Sequence, residues 1–535
     1  MSAAYPASRR HLALAAALAV ALMSGCVSIR RVPPGPKSYA FDKPETTRLG
    51  LALAEGERAH PGQSGFAILE FGLEALVARA ALADSADHAI DVQYYIYDSD
   101  EAGSIMADHL LAAADRGVRV RLLLDDYNLA SDAELAALNA HPNIEVRVFN
   151  PASCRPRWAR FVEYGLYMRE AERRMHNKLF IVDNEVTILG GRNVGNEYFS
   201  IRTGSAFRDF DILIAGPATR QASSAFDEYW NCPWSVPASA LVLRTPTEKD
   251  LVALRQRIKE RIRNAEHFEE QFAAGRDRYL ADLEHDGRTL IWARGEIVSD
   301  PPRKIATTAP ETRPVARRLA QEWDRANREI LIEAAYFLPG NEGLGKFHSL
   351  HERGVNTRLL TSAMETTDVP LVFCEFRKWR RDLLAAGVDL YEYKVHSAQE
   401  PRGRKWYHRR PSYGALHSKV IVFDRERAWI GSFNLDPRST ELNTEVAVVV
   451  ENRELAAELA GCITEDMSPY RSWRVQFARE ENGSGKKEPD PKTARIVWAG
   501  ELGGEPVTLK HEPMNLGKRL KIFFLSLIPV SQDQL

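Results

Sequence analysis

His176, Lys178 and Asp183 are spaced His-x-Lys-x-x-x-x-Asp, and His417, Lys419 and Asp424 repeat that spacing in the second half of the chain. The echo continues downstream. Gly190-Gly191-Arg192-Asn193 follows the first Asp, and Gly431-Ser432-Phe433-Asn434 follows the second at the same offset. Two histidines with their own cations and amides suit phosphoryl transfer. The pair of motifs predicts an enzyme that acts on a phosphodiester.

The chemistry sets the roles. A nucleophile must attack phosphorus and hold it covalently. An acid must protonate the departing alkoxide and then act as base for the incoming hydroxyl. His176 and His417 supply these two roles. Lys178 and Lys419 supply fixed positive charge for the non-bridging oxygens, and Asn193 and Asn434 supply neutral donors. A carboxylate must orient each imidazole and fix its tautomer. The candidates are Asp211, in Phe207-Arg-Asp-Phe-Asp, and Glu445, in Asn443-Thr-Glu. Asp183 and Asp424 complete the motifs, either at the chemistry or as bridges between strands and loops. With both histidines in one charged site, their titrations are coupled. No metal or other cofactor is called for, because the protein brings its own cations.

Positioning these groups needs rigid elements. Phe180-Ile-Val and Val420-Ile-Val-Phe lie between Lys and Asp and read as core strands, with His and Lys on one face. Further upstream, the stretch from His88 to Tyr97 alternates like a strand. A helical pattern ends at Arg116-Gly117, and Val118 to Leu124 forms a buried strand. The second half repeats the plan with Glu329 to Phe337, a helix ending at Arg353-Gly354, and Val355 to Leu360. Ile144–Phe149 matches Val388–Tyr393. Four landmarks in one order, twice, indicate an internal duplication. The expected fold is α/β, with two pseudo-symmetric sandwich halves that share one site at their interface.

The expected boundaries are a signal segment over 1–25, a tether over 26–45, and a first half over 46–245. A charged connector or insertion follows over 246–310, then a second half over 311–478 and a linker and tail over 479–535. A chain of 535 residues accommodates two full cores. Its charged fraction of 27% and hydrophobic fraction of 44% exclude disordered and multi-spanning classes. A net charge of -2 gives no global attraction to nucleic acid. Five cysteines include no CxxC pair, so a zinc site is not expected. In an oxidising compartment Cys154, Cys232, Cys374 and Cys462 allow a disulfide, but scattered buried thiols fit a core of this size better.

The duplicated motif resembles the hallmark of the phospholipase D superfamily, from about residue 60 to 475. The second copy fits the pattern through Ser432, Asn434, Arg438-Ser439, Asn443 and Glu445. The first departs from it with Gly191 in place of Ser432 and Asp209-Phe-Asp211 in place of Asn-x-Glu. The resemblance implies that His176 is the nucleophile, forming a phosphohistidine, and that His417 is the general acid and base.

Arg9 and Arg10 precede an apolar run from Leu12 to Met23, and Ser24-Gly25-Cys26 follows. This reads as an export signal, too short to span a bilayer comfortably. The small-small-Cys ending resembles a bacterial lipoprotein processing site with Cys26 lipidated; an ordinary cleaved signal is the alternative. The resemblance to Gram-negative lipoproteins implies that Val27, rather than Asp, after the Cys favours the outer membrane. The expected location is the bacterial cell envelope, lipid-anchored and facing the periplasm.

The loop before the first motif carries Arg155, Arg157, Trp158, Arg160, Phe161, Tyr164, Tyr167 and Arg169. The loop before the second carries Arg402, Arg404, Lys405, Trp406, Tyr407, Arg409 and Arg410. Such mixtures suit an anionic headgroup at an interface, or single-stranded nucleic acid. The tail from Lys518 to Ile528 turns from basic to apolar, as a membrane-surface helix or a helix docked on the core would. The end of the sequence from Leu527 to Leu535, after Glu512-Pro513, resembles the C-terminus of bacterial cardiolipin synthases of type C. The expected partner is therefore a phospholipid membrane, with phosphatidylglycerol and a second phospholipid as substrates and no nucleic acid. Hydrolysis to phosphatidic acid uses the same groups, and a nuclease is a further alternative.

Overall fold

The computed structural model describes residues 35–526 except 128–130, 153–154, 156–172, 202–205, 243, 264–271, 274, 278, 280–289, 308, 396–412 and 479–489. Each half is a mixed sheet. In spatial order the first runs Ser64–Leu69, Asp211–Ala215, Val186–Gly190, Leu179–Val182, Ala89–Tyr94, Arg119–Asp125, Ile144–Phe149 and Ser235–Pro237. The second repeats it with Ile291–Ser299, Val446–Glu451, Arg427–Gly431, Lys419–Phe423, Glu329–Ala334, Asn356–Ser362, Asp389–Tyr393 and Ser472–Phe477. The expected duplication is thus present strand by strand.

Both faces of the central strands are buried, so alternate residues serve different cores. Phe180 and Val182 join the outer core of the first half, beneath helices Gly72–Ser85 and Glu101–Asp115. Leu179 and Ile181 point to an inner core, where they meet Val420 and Val422 of the second half. Ile421 and Phe423 join the outer core of the second half. Helices Pro217–Trp230 and Arg453–Asp466 contribute to the inner core from either side. This shared apolar layer holds the halves together.

The motif strands turn back through Asp183-Asn184 (φ 51° and 55°) and Asp424-Arg425 (φ 55° and 56°). Two successive left-handed residues make the tight hairpin turn that matches strand twist. Gly117 and Gly354, at φ 98° and 75°, end the preceding helices where Arg-Gly predicted an end.

Three expected boundaries are corrected. The last part of the 26–45 tether is strapped to the first half, where Ser38 N donates to Asn231 Oδ1 (3.1 Å) and Ala40 N to Asp227 Oδ2 (2.9 Å). The 246–310 connector contains a structural strand. Within Ile291–Ser299, the first residues pair with Ser64–Phe66 and the rest with Val446–Glu451, stitching the two sheets together. The 479–535 tail adds strands Ile496–Leu502 and Glu505–Leu509 to the second sheet. Of the two, only Glu505–Leu509 is an edge; Ile496–Leu502 is paired on both sides, with Ser472–Phe477 and with Glu505–Leu509. Cys26, Cys154 and, apart from Arg155, the named basic-aromatic loop residues lie outside the described residues. Arg155 itself pairs with Asp126 and Asp132. Cys232, Cys374 and Cys462 are free thiols.

Candidate active site

Each histidine is held by the opposite half. His176 N donates to the Thr444 carbonyl (2.9 Å), and Thr444 N to the Arg174 carbonyl (2.9 Å). His417 N donates to the Arg208 carbonyl (2.8 Å), beside a parallel pairing of Tyr413–Leu416 with Ala206–Arg208. Backbone exchange therefore seats the carboxylate that follows each pairing segment against the other half's imidazole. His176 Nδ1 lies 2.9 and 3.1 Å from the Glu445 carboxylate oxygens. His417 Nδ1 lies 2.7 Å from Asp209 Oδ2. An Nδ1–H directed at a carboxylate leaves Nε2 as the nitrogen with a free lone pair.

Glu445 is where the sequence placed it, but Asp211 is not. The carboxylate on His417 is Asp209. Asp211 faces away and bonds Arg79 Nη2 at 2.8 Å, with Arg192 Nη1 at 3.4 Å. The register explains the correction. Asp211 pairs with Gly190, and its counterpart opposite Gly431 is Ala447. Two residues before each of these stand Asp209 and Glu445. The glycine in place of Ser432 has a reason too. A Cβ on Gly191 would lie 2.2 Å from Asp209 Oδ1, so the shorter carboxylate occupies the space that the serine fills in the other copy. Ser432 and Ser439 hydroxyls instead hydrogen-bond Glu445.

Lys178 Nζ donates to the His176 carbonyl (2.6 Å) and lies 5.5 Å from the Tyr95 ring centre. Lys419 Nζ donates to the His417 carbonyl and lies 5.9 Å from the Tyr336 ring centre. Both ammonium groups and both imidazoles are buried. Burial pushes Lys178 down to about 7 and lowers Lys419 as well. His176 is held well below the usual imidazole value by burial and by Lys178, Lys419 and His417. His417 is lowered by burial and Lys419, with Asp209 opposing. The carboxylates differ. Burial raises Glu445 to about 7, although Lys178 opposes it. Asp209 is lowered, because Lys419 and His417 outweigh its burial.

The motif aspartates lie past the far end of the motif strands, seven residues on from the histidines, roughly 23 Å of extended chain at ~3.3 Å per residue. Asp183 accepts from the backbone N–H of Asp87, His88 and Ala89, each at 2.8 Å. Asp424 accepts from Asn327, Arg328 and Glu329 in the same way. The expectation that they act at the chemistry is corrected: they lock the start of the neighbouring strand. Asn193 Oδ1 accepts from Ile96 N (3.2 Å), and its amide donates to the Tyr198 hydroxyl (3.0 Å). Asn434 is buried, with no partner on its Oδ1 among the described residues.

Other neighbours were not singled out from sequence. Tyr95 meets His176 edge-on (5.0 Å), and Tyr336 meets His417 likewise (6.4 Å). The offset that separates the two histidines also separates these tyrosines, so the repeat contained the signal. Lys304, fully buried, bonds Asp300 (2.7 Å) and the Ser439 carbonyl (2.8 Å), supporting the Glu445 side of the site. It lies outside both motifs and carries no repeat signature.

The family model described as cardiolipin synthase, PLD-like domain, matches residues 80–230 and 319–467, one match per half. The chain is 35% identical over 495 residues to cardiolipin synthase C of Escherichia coli K12, covering 90% of this chain and 99% of that one. It is 27% identical to cardiolipin synthase B of the same organism, covering 76% of this chain and 84% of the relative. Among solved structures, phosphatidylserine synthase from Haemophilus influenzae matches with a TM-score of 0.50 at 13% identity, over 78% of this chain and 91% of that one, and so shares the fold. The chain belongs to the cardiolipin synthase-like, phospholipase D-like family, and its two family segments coincide with the two halves that share the site.

Proposed function

We propose that this protein is a phosphatidyltransferase that makes cardiolipin from phosphatidylglycerol and a second phospholipid through a phosphohistidine. The observation that carries this reading is the pair of buried imidazoles, each with Nδ1 on a carboxylate of the opposite half and a buried lysine beside it. The site residues are His176, Lys178, Glu445, His417, Lys419 and Asp209, with Asn193 and Asn434 as donors toward phosphate. The relatives named for cardiolipin synthesis support the lipid substrate.

The electrostatic asymmetry supports the order of roles. His176 is held in its neutral form by burial and by the neighbouring cations, as a nucleophile requires. His417 faces an ionised Asp209 that stabilises its imidazolium, as an acid requires. His176 Nε2 attacks phosphorus, the bond to the departing alkoxide breaks, and His417 protonates that oxygen. His417 then takes the proton of a phosphatidylglycerol hydroxyl, which attacks phosphorus and releases His176. Lys178 and Lys419 offset charge on the non-bridging oxygens. The protein acts at the cell envelope, anchored through Cys26 and facing the periplasm.

The test is product analysis. Vesicles of phosphatidylglycerol and phosphatidylethanolamine are incubated with the protein, and lipids are read by mass spectrometry. Cardiolipin that is absent with His176→Ala and His417→Ala is expected. Phosphatidic acid alone makes the protein a hydrolase, and no lipid change refutes the lipid reading.

A further inference from the structure

Helix Leu516–Ser526 docks on the second half through buried Ile522 and half-buried Leu525, against helix Pro370–Ala385. Among the described residues its opposite face has no partner. Leu516, Leu520, Phe523 and Phe524 are 73%, 51%, 57% and 64% exposed, four of the ten exposed large apolar side chains among the described residues. Their spacing of i, i+4, i+7 and i+8 places them on one stripe. At 100° per residue, Arg519 and Lys521 fall on the two flanks of that stripe, and the helix carries no carboxylate. No helix among the described residues is long and apolar enough to cross a membrane.

A chain of contacts also links the helix to the candidate site. Lys518 Nζ lies 3.6 Å from the Glu365 carboxylate. One residue on, the Thr366 carbonyl accepts from Leu416 N (3.0 Å), next to His417. Two further on, Asp368 accepts from the Tyr336 hydroxyl (2.6 Å), and Tyr336 meets the His417 ring. The segment from Glu365 to Asp368 therefore touches the helix at one end and the wall of the candidate site at the other.

We infer that this helix is an interfacial docking element that lays its Leu516, Leu520, Phe523 and Phe524 stripe into an anionic phospholipid leaflet, next to the segment that walls the candidate site. Basic groups on both flanks suit anionic headgroups, and aromatic and leucine side chains between them suit the acyl boundary. The inference rests on the phospholipid reading above. It adds how a substrate that never leaves the bilayer is brought to a buried site.

The experiment uses the full chain in a Cys26→Ser background, so that no acyl anchor masks the helix. Leu520→Ser, Phe523→Ser and Phe524→Ser are combined, all at exposed positions where stability changes little. Turnover is measured on phosphatidylglycerol vesicles and on monomeric short-chain phosphatidylglycerol. A separate Phe524→Trp chain is read for added fluorescence quenched by acyl-brominated phosphatidylglycerol vesicles. The expected result is loss of vesicle turnover by about 100-fold at limiting lipid, from the apolar area no longer buried. Turnover of the monomeric lipid stays within about twofold, and quenching is seen with phosphatidylglycerol but is weak with phosphatidylcholine. Unchanged vesicle turnover, equal loss on both substrates, or no quenching overturns the inference; self-association lost in the triple variant then identifies a second copy as the occupant. If quenching occurs while the parent chain turns over neither lipid, docking stands and the transferase reading falls.

Discussion

Asp209→Asn and Asp211→Asn separate two carboxylates that stand two residues apart. Asp209 is buried, ionised and 2.7 Å from His417 Nδ1. An asparagine there still accepts a hydrogen bond but no longer stabilises imidazolium. A hydrogen bond to a charged group contributes ~1.5–3 kcal/mol, which at ~1.4 kcal/mol per decade predicts a kcat lower by roughly 10- to 150-fold. The unfolding midpoint should move little. Asp211→Asn removes the charge that pairs with buried Arg79 and Arg192. Leaving buried cations unpaired costs roughly 3 kcal/mol or more in stability, while kcat per folded molecule should hold within about threefold. The assay is phosphatidyl transfer on phosphatidylglycerol vesicles, normalised to folded protein, beside thermal unfolding of each variant. The reasoning is refuted if Asp211→Asn lowers kcat as much as Asp209→Asn does, or if Asp209→Asn leaves kcat unchanged.

Two further outcomes follow from the same geometry. Asp183→Ala should lower stability by about 3 kcal/mol through loss of three charge-assisted backbone bonds, yet leave kcat per folded molecule within about threefold; a catalytic collapse at unchanged unfolding midpoint would restore Asp183 to the chemistry. Lys178 is depressed to about 7, so near pH 8 it is largely neutral in the empty site and an anionic phosphate recharges it. Vanadate or inorganic phosphate should therefore bind with uptake approaching one proton at pH 8, its affinity falling by up to about tenfold per pH unit above 7. Calorimetry in buffers of different ionisation heat checks this, and Lys178→Met should abolish the uptake.

The sequence by itself determined the duplication, the α/β class and the four groups His176, Lys178, His417 and Lys419. These are local facts: a fixed spacing, strands that alternate between two cores, and Arg-Gly helix ends repeat along the chain whatever the halves do in space. Tertiary structure alone decided which carboxylate serves which histidine. Glu445 and Asp209 do not keep the offset that relates the rest of the repeat, and each reaches an imidazole of the other half through backbone pairing across the seam. The part played by Asp183 and Asp424 was equally hidden. An aspartate four residues past a strand start looks like part of a catalytic motif until its three backbone partners, nearly a hundred residues away in the chain, are brought to it. The strand Ile291–Ser299 left no sequence signal of its role, because a strand shared by two sheets is defined by its two partners and not by its own residues.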